Sequence, residues 1–189
     1  MSAVQSRRAL FLNPRSAGLM FNFVAFQCGW FACVVGAAHG WPLTGAATAA
    51  AIVAWHVMRA ARPAEEMKLV IIALAIGALW DSSLAALGWI DFTAGTLVAG
   101  LAPPWILALW ALFATTLNVS LDWLKGRWRV AALLGAVAGP LSYWAGVRLG
   151  ALEFVAPLPA VTALAIGWGV MTPLLVAAAR RYNGMHPAH

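Results

Sequence analysis

Six long apolar segments alternate with short junctions, and eleven of the twelve Lys and Arg residues fall on every second junction. Arg7, Arg8 and Arg15 precede the first segment, and Arg59, Arg62 and Lys68 surround the junction after the second. Lys125, Arg127 and Arg129 follow the fourth, and Arg180 and Arg181 follow the sixth. The other junctions hold Arg148 alone. Cationic loops are retained on the cytoplasmic side of a membrane, so this alternation predicts six spans with both termini inside.

Composition leads to the same class independently. The chain is 63% hydrophobic and 10% charged, whereas a soluble domain carries about 25% charged residues. Its net charge of +6 sits in short loops at helix ends, where cations meet anionic headgroups. These residues set topology, and nucleic acid is not an expected partner.

A span needs about 20 apolar residues to cross hydrocarbon about 30 Å thick. The expected spans are 18–38, 44–58, 67–88, 103–123, 129–147 and 157–179, forming one all-α domain, a six-helix bundle. The first keeps Asn22 and Gln27 within its apolar stretch, a poor core for a cleaved signal. The second, Ala-rich with His56 near its inner end, is the weakest, but removing it would break the charge alternation. Thr44 is a candidate N-cap after the turn at 39–43, and Pro103-Pro104 begins the fourth helix. Pro140 and Pro173 lie inside spans, where a missing amide donor predicts kinks.

Asp81 stands deep in the third span. A carboxyl there is costly unless paired, protonated or hydrated, which makes it a candidate general acid, general base or ligand anchor. A structural, hydrogen-bonded Asp beside Ser82 and Ser83 is the competing reading. In the first span Asn22, Phe26 and Trp30 repeat every four residues, and Gln27 flanks their face; the two amides either join helices or orient a ligand. In the fourth, Phe113, Thr116, Ser120 and Trp123 form a helical stripe, and Asn118 and Asp122 form an i, i+4 pair. Asp122 also reads as an interfacial charge next to Lys125. In the fifth, Gly135 and Gly139 form a small-residue packing face, with Tyr143 directed either into a cavity or toward an aromatic belt. Among the deeper Trp residues, Trp30, Trp80, Trp110, Trp144 and Trp168 either line a pocket or pack.

Other chemistries lack their motifs. Cys28 and Cys33 diverge on one helix and predict neither a disulfide nor a metal pair. The four His residues have no ligand spacing, and no phosphate-binding glycine loop or nucleophile elbow is present. No metal or cofactor is called for.

Asn22, Gln27 and Trp30, then Trp41-Pro42-Leu43-Thr44-Gly45, Asp81, Pro104-Trp105, Leu109-Trp110, Thr116-Leu117-Asn118 with Ser120, and Gly139-Pro140 with Tyr143 and Gly146 resemble the bacterial family DUF2878 over nearly the whole chain. The resemblance implies a small multi-spanning inner-membrane protein without an established activity, and points toward lipid-modifying enzymes as neighbours. A shorter similarity links Pro63-Ala64-Glu65-Glu66 to the Pro-x-Glu-Glu element of small membrane carotenoid cyclases. The flanking Arg59, Arg62 and Lys68 favour a solvated, salt-bridged loop there instead.

The expected site is therefore an intramembrane pocket using Asn22, Gln27, Trp30, Asp81, Trp110, Thr116, Asn118, Ser120 and Tyr143. Its expected ligand is a lipid or another hydrophobic small molecule. The alternatives are an accessory subunit docking a membrane enzyme, a small transporter built of two inverted three-helix halves with the prolines as gates, and a cyclase-like enzyme.

Overall fold

The computed structural model describes residues 14–187. Six helices run in chain order: α1 (Pro14–Ala38), α2 (Pro42–Met58), α3 (Pro63–Ala86), α4 (Pro104–Leu117), α5 (Trp128–Leu149) and α6 (Pro157–Arg181). Proline opens the first turn of α2, α3, α4 and α6, where its lost amide has no intrahelical acceptor anyway and its fixed φ already suits the helix. The N-cap of α2 is Trp41, and Thr44, expected in that role, lies in the first turn with its hydroxyl donating back to the Trp41 carbonyl at 2.7 Å. Both α5 and α6 continue through Pro140 and Pro173.

Four helices, α1, α3, α5 and α6, are long and apolar enough to cross a membrane. The other two are shorter, with α2 at 17 residues and α4 at 14. At 1.5 Å per residue they reach about 25 and about 21 Å, less than the full hydrocarbon thickness. The fourth expected span was to continue to residue 123, but α4 stops at Leu117 and the chain turns through 118–121 into a 3₁₀ turn at Asp122–Leu124. That end removes the helical register behind the Phe113–Thr116–Ser120–Trp123 stripe and the Asn118–Asp122 pair.

Short as it is, α4 is the centre of the molecule. Trp105, Ile106, Trp110, Leu112, Ala114 and Leu117 are all buried, and α1, α2 and α3 pack around it. The α5–α6 hairpin lies alongside, joined through α6 to α3 and α4 and only loosely to α1. Because lipid is as apolar as the side chains, such helices associate by close packing and polar contacts rather than by the hydrophobic effect. Glycines provide the clearances. A methyl group at Gly77 would overlap the Trp110 ring, at Gly139 the Trp168 ring and at Gly167 the Trp80 ring.

An all-α reading missed one element. Ile90–Phe92 (β1) and Leu152–Phe154 (β2) form an antiparallel ribbon with Asp91 opposite Glu153, tying the α3–α4 junction to the α5–α6 junction. Ile90 and Phe92 turn inward, while both acids are exposed. α5 ends just before this ribbon at Gly150, whose φ of 85° is the left-handed cap that glycine adopts without strain. At the opposite end the chain after α6 folds over the start of α3. The Arg62 amide donates to the Gly184 carbonyl at 2.8 Å, and its guanidinium donates to the carbonyls of Asn183 and His186.

Candidate functional site

The residues singled out in the sequence divide into two groups at different depths. The deeper group centres on Asp81, which is 0% exposed. The Trp110 indole N–H donates to Oδ2 at 2.6 Å, and the Tyr143 hydroxyl donates to Oδ1 at 2.5 Å. Both carboxyl oxygens are thus engaged by neutral donors from α4 and α5, and no cation pairs with Asp81 among the described residues. Trp110 is held from two sides: Gly77 admits its ring against α3, and Trp168 stacks on it with centroids 4.6 Å apart and planes 14° from parallel.

In front of this network lies a small chamber of about 70 Å³, walled by Trp110, Tyr143, Trp168, Phe113, Trp30 and Phe26 among others. Asp81 does not line it, and acts on it only through Trp110 and Tyr143. A larger groove of about 500 Å³ shares Phe26, Trp30, Phe113, Ser142 and Trp168 with the chamber and continues between α1 and the α5–α6 hairpin. Its remaining walls are mostly apolar, with Gln27 and Thr172 as polar points. Gln27 is half-buried there. The Thr172 hydroxyl is buried without a hydrogen-bond partner. The Trp30 indole crosses the groove to donate to the Ser142 hydroxyl at 3.0 Å, linking α1 to α5. Trp144, weighed as a deep aromatic, is exposed with Arg148 over its ring instead.

The second group closes the end of the bundle where α2 meets α3. The Asn22 amide donates to the Thr115 carbonyl at 3.1 Å, and its oxygen accepts from the Ser120 hydroxyl at 2.8 Å and amide at 3.3 Å. The Thr116 hydroxyl donates to the Phe113 carbonyl within its own helix. Asn118 is the hub: its amide donates to Glu66 at 2.8 Å and to the Tyr182 carbonyl at 3.1 Å, and its oxygen accepts from Lys125 at 2.6 Å. These four side chains join backbone turns to each other, and their donors and acceptors are taken up within the protein.

Two residues of this group were not selected from sequence. Glu66, assigned to a solvated loop, is 0% exposed, and His56 is 3% exposed with Nε2 3.6 Å from the Glu66 carboxylate. The salt bridge expected of that loop belongs to Glu65, which accepts from Lys68 at 2.8 Å. Successive helical residues diverge by about 100°, so Glu65 faces outward and Glu66 falls on the buried stripe of Leu69, Val70 and Ala73. That i, i+3, i+4, i+7 spacing was the available signal. Among the described residues no group of three or more His, Cys, Asp or Glu side chains is placed to hold a metal.

Four helices long and apolar enough to cross a membrane, packed around a buried carboxyl with neutral partners, have the make-up of a helical membrane protein. The chain belongs to the family described as "Protein of unknown function (DUF2878)", whose model matches residues 19–174. No curated protein and no solved structure matches it.

Proposed function

We propose that the protein binds a lipid or another hydrophobic small molecule in the groove between α1 and the α5–α6 hairpin, with the ligand's narrow end in the aromatic chamber. The observation that carries this reading is the groove itself: about 500 Å³ of mostly apolar wall with Gln27 as a polar point on it. Apolar pockets with a few fixed polar groups are the usual form of a small-molecule site. A lipid chain reaches such a groove sideways from the bilayer. Asp81 is a positioning residue here, fixing the Trp110 indole and the Tyr143 hydroxyl in the chamber wall.

The accompanying topology is six crossings of a bacterial inner membrane with both termini cytoplasmic. Three basic junctions gather at one end: Arg62 against residues 183–186, Lys68 over the Tyr182 ring, and Lys125 on Asn118, which also reaches Tyr182. The ribbon end carries Asp91 and Glu153. Within this topology α4 is short because protein rather than lipid surrounds most of it.

Native mass spectrometry with lipid extraction on gently purified protein tests the binding reading. Ala138 is exposed on the groove wall, so Ala138→Phe fills the groove without entering the packed core. Wild type should retain a specific lipid or isoprenoid that Ala138→Phe loses while keeping its thermal stability. The same unselective lipids on both proteins would sink the reading and favour an accessory protein whose aromatic surface meets a partner enzyme.

A further inference from the structure

A pocket of about 740 Å³ opens on the other side of α1, at the basic end, bordered by α2 and the 118–123 turn. Its apolar floor is the Phe21–Trp55 pair, with ring centroids 4.8 Å apart. The Arg59 guanidinium lies over the Trp55 ring at 5.0 Å from the centroid, and Arg59 is in no salt bridge among the described residues. His56 forms part of the same pocket wall, but it is buried and its Nε2 faces the Glu66 carboxylate at 3.6 Å rather than the pocket. The acid on this wall, Asp122, is already neutralised by Lys125 at 2.6 Å. Asn22 and Ser120 are bonded to each other and supply shape rather than charge. His186 from the folded-back tail completes the rim.

We infer that this pocket is a second ligand site, one that takes a phosphate ester, with Arg59 as its charged anchor and the Phe21–Trp55 pair as its apolar floor. A guanidinium resting on an aromatic ring keeps its N–H fork free for two phosphate oxygens. The ring beneath it also sets its direction, so an anion meets a fixed donor rather than a mobile side chain. Membrane surfaces present the same chemistry in their anionic headgroups. The site is separate from the groove, and its occupant and the groove's are independent questions.

Native mass spectrometry and calorimetric titration with two probes, dihexanoyl phosphatidic acid and inorganic phosphate, test the assignment. The wild-type protein and the Arg59→Gln and Ala138→Phe variants are compared in one uncharged detergent. Arg59 is exposed, so its substitution leaves folding intact. Saturable binding of the short-chain lipid, weakened at least tenfold by Arg59→Gln and unchanged by Ala138→Phe, is the expected result. If inorganic phosphate fails to compete, the source is a lipid headgroup. If it competes at similar concentration, the source is a soluble phosphate ester, and the assignment of the anion site stands. Equal binding by wild type and Arg59→Gln, or no saturable binding of either probe, overturns the proposal. So does a loss caused by Ala138→Phe alone, which would instead place the lipid in the groove.

Discussion

Asp81 is fully buried and reaches the chamber through the Trp110 indole and the Tyr143 hydroxyl. A lone carboxyl at membrane depth invites an assignment to catalysis, yet the chamber is lined by the partners of Asp81 and not by Asp81. A double-mutant cycle measures how tightly this network acts as a unit. Asp81→Asn and Tyr143→Phe, combined, should show a coupling of about 0.6 kcal/mol, the average found for polar contacts inside membranes, and no more than about 1.7 kcal/mol in detergent unfolding. Zero coupling would mean that the hydroxyl and the carboxyl do not depend on one another. Asp81 and Tyr143 were each legible in the sequence because each is polar within an apolar run. Their contact was not, since it joins helices 62 residues apart.

At the level of elements, the difference between expectation and structure falls on α4. Past residue 117 polar Asn118, Ser120 and Asp122 alternate with Val119, Leu121 and Trp123, which weakens a helix there without fixing the residue at which it ends. The stop comes from distant partners: Glu66 and Tyr182, 52 and 64 residues away, hold Asn118 at the end of the helix. Asn118→Leu would deprive a buried carboxylate of its donor and Lys125 of an acceptor, so thermal unfolding should detect a loss of about 1–3 kcal/mol. Asn118→Asp should destabilise as well, by setting a second carboxylate against Glu66. A neutral outcome for both would show that helix packing alone ends α4. The proline starts of four helices needed no such help, since φ and the missing amide are properties of one residue. Equally, Glu66 was obscured by its neighbours: three nearby cations suggested solvent, and only one of the two adjacent acids meets a cation on the surface.

Across the whole molecule, the apolar helices were legible in the sequence, and the number that cross a membrane was not. The alternation of basic junctions gave six crossings, whereas helix length alone identifies four. Reporter fusions decide between these counts. A fusion after Gly95, in the loop following β1, should be periplasmic, and one at the C-terminus cytoplasmic; a periplasmic C-terminus would remove the six-span topology. The ribbon was beyond the reach of sequence periodicity because three residues per strand are too few to set a pattern, and their pairing joins positions about 60 residues apart.

The two donors that satisfy Asp81 come late in the chain, Trp110 by 29 residues and Tyr143 by 62. A chain made from its N-terminus therefore completes α3 before either donor exists, gains the first with α4 and gains the second only with α5. The network that holds the finished chamber in place is thus also a record of whether assembly has reached the fifth helix.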